Sequence, residues 1–213
     1  VHSGRAWDEF CDSLKAAGAS VMAPGAPRDA FNQAEGYRYL ARLARAGLEN
    51  FLECADAECP RLCAIANGSR AARVCIGSDN PDNLYESAMI DGTLTYVVAG
   101  TRGSVAYLGL GTQSGQYGGK GGLQTVGYLE ADELTYDTSD VGIEASLRTF
   151  TVVLSATRPA DAPNWLRLEP DPPQAMFILR QTFGDRAAET PATVRIVRVP
   201  DGASAASAAS TGA

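Results

Sequence analysis

The feature that most constrains this chain is a change in the spacing of its apolar residues near Ala71. Before that point apolar side chains recur every three to four residues, which is typical of amphipathic helices. After it, short runs of alternating apolar and polar residues are separated by turn signals, which is typical of strands. Nothing of helical length lies between those runs. The second part is therefore expected to be an antiparallel sandwich and not a parallel α/β sheet.

Two helices are predicted in the first part of the chain. The first has one apolar face, formed by Trp7, Phe10, Cys11, Leu14 and Ala17. Gly18 follows that face and is placed to end the helix. The second helix is predicted over residues 30–54, after a loop rich in proline and glycine. Its small residues Gly36, Ala44 and Gly47 lie on or beside the apolar face, so another backbone can approach closely there.

The strand candidates follow in quick succession. They are residues 84–90, 93–99, 104–112, 124–129, 143–147, 149–155, 175–183 and 193–199. Asp91-Gly92 separates the first two candidates, and a two-residue Asp-Gly connection favours a type I′ hairpin. Residues 100–103 are expected to turn the second strand into the third.

These elements predict an α+β fold in which N-terminal helices are packed on an antiparallel β-sandwich. The expected organisation is a helical segment at 1–70, a sandwich at 71–200 and a flexible Ala/Ser/Gly tail or linker at 201–213. Residues 111–122 contain six glycines around Tyr117 and Lys120. That loop is either disordered or a mobile flap over a pocket mouth.

Charge and composition exclude several classes of function. Acidic residues outnumber basic ones by 25 to 18, and no Lys/Arg run exists, so a nucleic-acid partner is not expected. The sequence has no apolar run long enough to span a membrane and no leader pattern, which predicts a soluble, cytoplasmic protein. Its only histidine is His2. Catalytic sites that need histidine are therefore excluded, and catalysis would use carboxylates, tyrosines, lysines, thiols or a cofactor the sequence does not reveal.

The cysteines are expected to be mainly buried thiols. There are five, and an odd number argues against a complete disulfide framework. Cys54, Cys59 and Cys63 lie close together, but their spacing matches no zinc pattern and no histidine is near. One disulfide is the first alternative and a metal site the second; no metal and no cofactor are predicted.

The polar turn at residues 79–83 is the strongest candidate for a binding site. Asp79, Asn80, Asp82 and Asn83 could contact a ligand or supply oxygen ligands to Ca²⁺ or Mg²⁺. Asp and Asn around Pro81 are also what a purely structural turn requires. The hydroxyl group of a buried tyrosine needs a hydrogen-bond partner. Tyr85 and Tyr107 could therefore line a pocket for an apolar or ring-containing molecule beside this turn. The tentative ligand-binding set is Asp79, Asn80, Asp82, Asn83, Tyr85 and Tyr107.

Arg180 stands in the middle of an apolar strand candidate. At such a position an arginine is expected either to be exposed at a sheet edge or to pair with a carboxylate. The candidate partners are Glu169, Asp171 and Asp185.

Six segments resemble one known family. They are residues 34–40, 79–85, 102–108, 164–168, 180–186 and 189–192. Together they resemble the N-terminal part of uncharacterised bacterial proteins that carry the "domain of unknown function twelve-fourteen". The resemblance runs from Trp7 to Val199 and implies a jelly-roll-like β-sandwich with attached helices. Many members of that family carry a further C-terminal segment, which this sequence does not contain. The expected explanations are a truncated product, a separate subunit or a shorter member of the family. The family label supplies no reaction and no catalytic residues.

Two classes of function remain open at this stage. The first is a binding or assembly module that works with a partner segment, a partner chain or copies of itself and that could also hold a hydrophobic small molecule. The alternative is an isomerase, lyase or hydrolase that uses carboxylate and tyrosine acid–base chemistry on an apolar substrate. A purely structural domain cannot be separated from the first class by sequence. Whether the protein is an enzyme at all is left open.

Overall fold

The computed structural model describes residues 4–64, 74–76, 80–119, 121–137 and 142–205. The chain divides into two compact units. One contains the residues up to Glu49 and a short piece that ends at Val74. The other contains Asn50 onward and holds every described strand. This is an α+β fold with two N-terminal helices and a sheet-dominated core, as the sequence predicts.

The helical unit is a pair of helices joined by a tight connection. Helix α1 covers Arg5–Ala19, a 3₁₀ turn covers Ser20–Met22, and helix α2 covers Ala30–Leu48. Asp29 caps α2, because its Oδ1 accepts from the backbone N–H of Asn32 at 3.0 Å. A Cβ on Gly36 would lie 2.9 Å from a methyl group of Val21, so a side chain, and not the predicted backbone, approaches this small residue closely.

The predicted helix ends differ from the observed ones. Gly18 lies inside α1, so its predicted role in ending that helix is wrong. The regular part of α2 ends at Leu48, not at Cys54, and one wider π-helical turn covers Glu49–Glu53. Apolar spacing alone does not reveal where the hydrogen-bond pattern widens.

The described residues contain nine strands, labelled in chain order. They are β1 Cys63–Ala64, β2 Asn83–Asp91, β3 Tyr96–Thr101, β4 Tyr107–Gly115, β5 Leu123–Glu130, β6 Thr149–Ser155, β7 Trp165–Arg167, β8 Gln174–Thr182 and β9 Thr193–Arg198. Five of the predicted strands lie within one residue of observed ones, and the candidates at 93–99 and 104–112 are shifted by two or three residues. The candidate at 143–147 is wrong, because Ala145–Leu147 forms a 3₁₀ turn. The short strands β1 and β7 carry too little alternation to be recognised.

The strands form two sheets. Sheet A has the order β1-β2-β8-β4-β5 and sheet B the order β7-β6-β3-β9. All pairs are antiparallel except β6 with β7. Because β2 belongs to sheet A and β3 to sheet B, the predicted hairpin at Asp91-Gly92 is wrong. The chain crosses there from one sheet to the other, and it crosses back between β3 and β4.

The crossing at Gly92 is held by backbone contacts. The N–H of Gly92 donates to the carbonyl oxygen of Pro173 at 2.7 Å. A Cβ at this position would overlap the backbone oxygen of Glu169. The glycine is therefore required for close approach of two backbones, which the local Asp-Gly pattern cannot distinguish from a hairpin turn.

The inner faces of the two sheets share one core. Ala88, Leu110 and Phe177 come from sheet A, while Val98, Phe150 and Leu154 come from sheet B, and all six are at most 2% exposed. The fold is thus an antiparallel-rich β-sandwich with a filled interior. The aromatic residues of this core are Tyr96, Phe150, Phe177 and Phe183.

The expectation of mainly buried thiols is wrong. Cys54 and Cys63 form a disulfide, while Cys59 and Cys75 are exposed and Cys11 is partly exposed. The disulfide closes a short loop, residues 54–63, that leads into β1. Sequence spacing does not show which two of three neighbouring cysteines meet.

Candidate functional site

The turn before β2 bonds mainly to its own backbone. Asn80 Oδ1 accepts from the N–H of Asp82 at 2.9 Å, and the Asn80 carbonyl accepts from the N–H of Asn83 at 3.0 Å. Arg186 donates to the carbonyl of Pro81 at 2.7 Å. Asp82 is exposed, and Asp79 lies outside the described residues. The geometry accounts for this turn structurally, and a ligand at Asp79, Asn80 or Asp82 stays a prediction.

The other predicted residues meet on the outer face of sheet A, the face turned away from the shared core. Tyr85 of β2 and Gly109 of β4 flank Arg180 of β8 in register. The Arg180 guanidinium lies over the Tyr107 ring, 4.6 Å from its centroid. Asn83 Nδ2 donates to the Tyr85 hydroxyl at 2.6 Å. We call these residues, with Tyr128 and Glu130 of β5, the tyrosine–arginine cluster.

Gly109 forms the floor of the cluster. The hydroxyl groups of Tyr107 and Tyr128 hydrogen-bond to each other above it, and the Tyr107 hydroxyl donates to Glu130 Oε1 at 3.1 Å. A Cβ on Gly109 would overlap both phenolic oxygens. Burial and the hydrogen bonds to Tyr128 and Glu130 raise the pKa of Tyr107 well above its usual range. Tyr107 is thus held as a neutral hydrogen-bond donor.

A separate cavity lies at the other end of β2. Its volume is about 410 Å³, and its lining is Phe51, Ala55, Ala57, Met89, Ile90, Asp91, Gln116, Tyr117, Pro173 and Gln174. The Phe51 and Tyr117 rings meet edge to face, with centroids 5.7 Å apart, yet they are 42% and 59% exposed. We call it the Phe51–Tyr117 cavity. Tyr117 sits on the glycine-rich loop between β4 and β5, where a flap over a pocket mouth was one alternative; Lys120 of that loop lies outside the described residues.

One wall of this cavity is tied to the sandwich by Tyr96. Its hydroxyl accepts from the N–H of Asp91 at 2.9 Å and donates to the carbonyl oxygen of Ala57 at 3.0 Å. Burial raises the pKa of Tyr96 to about 12. The Cys54–Cys63 disulfide brackets the same wall. The cavity therefore adjoins fixed backbone on this side.

A pocket lined by Tyr85 and Tyr107 stays a prediction. Tyr85 and Tyr107 line neither the Phe51–Tyr117 cavity nor the second large cavity of the sandwich, which has a volume of about 490 Å³ and lies against β3, β6 and β9. Among the described residues, no group of three or more His, Cys, Asp and Glu side chains could hold a metal ion. No described helix is both long and apolar enough to cross a bilayer.

Comparison with known proteins gives one informative match. The chain is 39% identical to an uncharacterised protein from Burkholderia cenocepacia with a crystal structure, with a TM-score of 0.77. The match covers 97% of this chain and 54% of that one. A weaker match, to the VPA0106 protein from Vibrio parahaemolyticus, has 15% identity and a TM-score of 0.39, covering 91% of this chain and 52% of that one. No family model matches the chain, and no curated protein does.

The chain thus spans about half the length of the solved structures that it matches. The Burkholderia protein shares the fold along nearly the whole of this chain. That likeness assigns no ligand, reaction or partner, so the functional evidence lies in this chain's own residues.

Sequence reasoning missed four residues that shape these sites. Among the described residues, Arg180 is neither at a sheet edge nor paired with a carboxylate, so both of its expected settings are wrong there. Strand β8 lies between β2 and β4, and the guanidinium lies over the Tyr107 ring. Tyr128 and Gly109 meet through the β4–β5 register, which includes a bulge after Thr112 and is not visible in the sequence. Phe51 falls within the second predicted helix, which gives no sign of its contact with Tyr117. The sequence shows that residues 51 and 117 are aromatic, but it does not show that their rings are in contact.

Proposed function

We propose that this chain is a binding module that holds an apolar small molecule in the Phe51–Tyr117 cavity. The observation that carries the proposal is an open cavity of about 410 Å³ beside a sandwich whose interior is filled. This volume is within the range of small-molecule sites, about 300–1,000 Å³. Two large aromatic rings stand at its edge in contact with each other while still exposed. A ligand inserted there would bury them.

The lining also contains a polar anchor. Asp91 Oδ1 accepts from the N–H and the hydroxyl of Thr93, at 2.8 and 2.6 Å. No described residue donates to its Oδ2, which leaves that oxygen able to accept from a ligand. The ligand we propose is accordingly an apolar or ring-containing body with one hydroxyl or amino group.

A neutral fluorescent probe tests this proposal. N-phenyl-1-naphthylamine should bind the chain saturably, with a rise in fluorescence as it leaves water. Tyr117→Ala removes one ring and Ala55→Phe fills the cavity, so each should weaken binding on the order of tenfold, which corresponds to about 1.4 kcal/mol. Phe31→Ala, which removes a ring that is 73% exposed on α2, is the matched control and should change nothing. Unsaturable binding, or equal binding by all four proteins, would rule out this site.

We also infer that the module works beside a partner segment or a copy of itself, and that it corresponds to the N-terminal part of the family it resembles. The match to about half of the Burkholderia chain supports this inference, because the shared fold there is accompanied by further sequence. Sedimentation equilibrium over a wide concentration range separates the two kinds of partner. Self-association predicts a mass above 22.3 kDa that rises with concentration, whereas a partner segment predicts a constant 22.3 kDa.

The acid–base enzyme hypothesis receives less support. It requires a carboxyl group with a raised pKa beside an aromatic-lined cavity. Burial raises the pKa of Glu86, but Glu86 lines neither of the two large cavities of the sandwich. The raised pKa of Tyr107 also favours a phenol that donates a hydrogen bond over a phenolate base.

A further inference from the structure

The outer face of sheet A carries an arginine whose charge is not matched by a carboxylate. Arg180 is partly buried in the central strand β8, and among the described residues no acid lies within ion-pair distance of it. Other arginines of the chain are paired, such as Arg167 with Glu169 and Arg198 with Glu58, each at 3.0 Å. In a chain with a net charge of −7, an unpaired arginine in a strand centre calls for an explanation.

The polar atoms around Arg180 are only partly satisfied. Its Nε is buried and makes no hydrogen bond within the described residues, and the same holds for Asn83 Oδ1. Buried polar atoms of this kind are uncommon and costly in native proteins. Tyr85 stands between the two, because it lies opposite Arg180 in register and accepts a hydrogen bond from Asn83 Nδ2.

The Tyr85 hydroxyl has a proton left to donate. Since its oxygen accepts from Asn83, its own O–H can point to another acceptor, and no described residue provides one. The Tyr107 ring fixes the guanidinium plane by stacking, at 4.6 Å. Glu130 is held by the Tyr107 hydroxyl, so it does not neutralise Arg180 directly. Tyr85 and Arg180 together present adjacent donors with a positive charge.

A second arginine adds to the positive field at this end of β2. Arg186 donates to the backbone carbonyl oxygens of Pro81 and Asn83, at 2.7 and 3.1 Å, and stacks on the Phe183 ring at 4.4 Å. It makes no ion pair with a carboxylate of the described residues.

The geometry points to an oxyanion-binding site formed by Arg180 and Tyr85, with Asn83 as an acceptor for a ligand N–H or O–H. The ligand group is a carboxylate or a phosphate, since both match the planar donor set of a guanidinium and accept from a hydroxyl. This site is distinct from the Phe51–Tyr117 cavity, and Asn83 and Asp91 are the opposite ends of β2.

Nuclear magnetic resonance gives a direct test, because the Arg180 Nε–H group has its own signal. Inorganic phosphate and benzoate are titrated separately at constant ionic strength. We expect at least one of them to shift the Arg180 Nε–H signal and the backbone amides of Tyr85 and Gly109 saturably. Binding of phosphate alone would indicate a phosphate ligand, and binding of benzoate alone would indicate a carboxylate ligand.

Three variants decide whether the site is the one described. Tyr85→Phe removes only the hydroxyl and should weaken binding on the order of tenfold, as expected for a hydrogen bond to a charged group. Arg180→Lys keeps the positive charge but has no Nε–H group, and it should weaken binding at least as much. Binding to this variant is measured from the backbone amide signals of Tyr85 and Gly109. Arg167→Gln removes an exposed arginine on β7 and should leave binding unchanged. Linear shifts without saturation, or an affinity in both Tyr85→Phe and Arg180→Lys equal to that of the unchanged protein, would overturn the proposal.

Discussion

At the scale of single residues, Tyr96 connects the sandwich to the wall of the Phe51–Tyr117 cavity. It is fully buried, and its hydroxyl bonds to the backbone of Asp91 and of Ala57. The two backbone groups belong to segments 34 residues apart, yet one oxygen satisfies both. By bonding to both, the hydroxyl of this already buried side chain fixes the segment around Ala57 in place at little cost in conformational freedom.

Removal of this hydroxyl should destabilise the protein. Tyr96→Phe removes the hydrogen-bond partner of the Asp91 N–H and of the Ala57 carbonyl oxygen, both only partly exposed, which should lower the free energy of unfolding by about 1–3 kcal/mol in urea denaturation. Tyr37→Phe, at a ring that is 49% exposed, is the control and should change it by less than about 0.5 kcal/mol. Equal stability of the two variants would show that the hydroxyl is not needed.

The same residue predicts a response to alkaline pH. The folded pKa of Tyr96 is raised to about 12, above the ordinary tyrosine value of 10.0. The unfolded chain therefore loses this proton first, so the contribution to stability is complete below pH 10 and is lost between pH 10 and 12. The Tyr96→Phe variant should lose less stability than the parent over that interval.

Gly109 is the second residue with a specific requirement. Gly109→Ala places a methyl group where the Tyr107 and Tyr128 hydroxyls meet, so the cluster must open and stability should fall by about 1–3 kcal/mol. Gly47→Ala is the matched control. It lies in α2 with open space around its Cα, so it should raise the stability of the helix by up to about 1 kcal/mol. Thermal unfolding of both variants checks the difference in sign.

Residue identity alone revealed part of these sites. The Asx-type turn at Asn80 follows from the preference of Asn and Asp for their own backbone, and it could be predicted. The settings of Arg180 and Gly109 could not, since they depend on which strands flank β4 and β8. A glycine in a strand pattern shows that something lies close to it without showing what.

At the scale of elements, the loop closed by Cys54 and Cys63 forms part of the wall of the Phe51–Tyr117 cavity. It carries Ala55 and Ala57 of the cavity lining and leads into β1, which pairs with β2 over only two residues. Arg61 adds a hydrogen bond to the Glu53 carbonyl at 2.7 Å. With so little pairing, the loop depends on its cross-link.

Loss of the cross-link should therefore affect both stability and binding. The double variant Cys54→Ala, Cys63→Ala should lower the free energy of unfolding on the order of 2–3 kcal/mol, because the unfolded chain is no longer constrained. It should also weaken N-phenyl-1-naphthylamine binding. Cys59→Ala, at an exposed free thiol within the same loop, should do neither. Unchanged probe affinity in the double variant would show that the cross-linked loop does not contribute to binding in the cavity.

Element type was easier to predict than element pairing. Alternation predicts β2, β5, β6, β8 and β9 to within one residue, because a strand with one buried face has apolar residues at every second position. No local pattern of this kind identifies the strand with which each one pairs. At Asp91-Gly92 the local turn signal predicts a hairpin, whereas tertiary contacts with Pro173 and Glu169 decide the path.

At the scale of the whole molecule, the two proposed sites are at opposite ends of one strand and differ in chemistry. The Phe51–Tyr117 cavity offers aromatic and aliphatic surface with one carboxylate, while the Arg180 site offers positive charge and hydroxyl donors. A filled sandwich between its two sheets keeps both sites on the outside. The scaffold and the sites can therefore vary separately.

The order of the strands also governs how this protein can be made. The middle of sheet A is β8, inserted between β2 and β4, and β3 has β9 as one of its two neighbours. A growing polypeptide thus leaves the ribosome with β2 and β4 unable to reach their common neighbour until Gln174–Thr182 has been synthesised. Until then both strands lack their pairing partner and their apolar side chains stay exposed. Chaperones that bind exposed apolar segments would therefore be needed most during that interval.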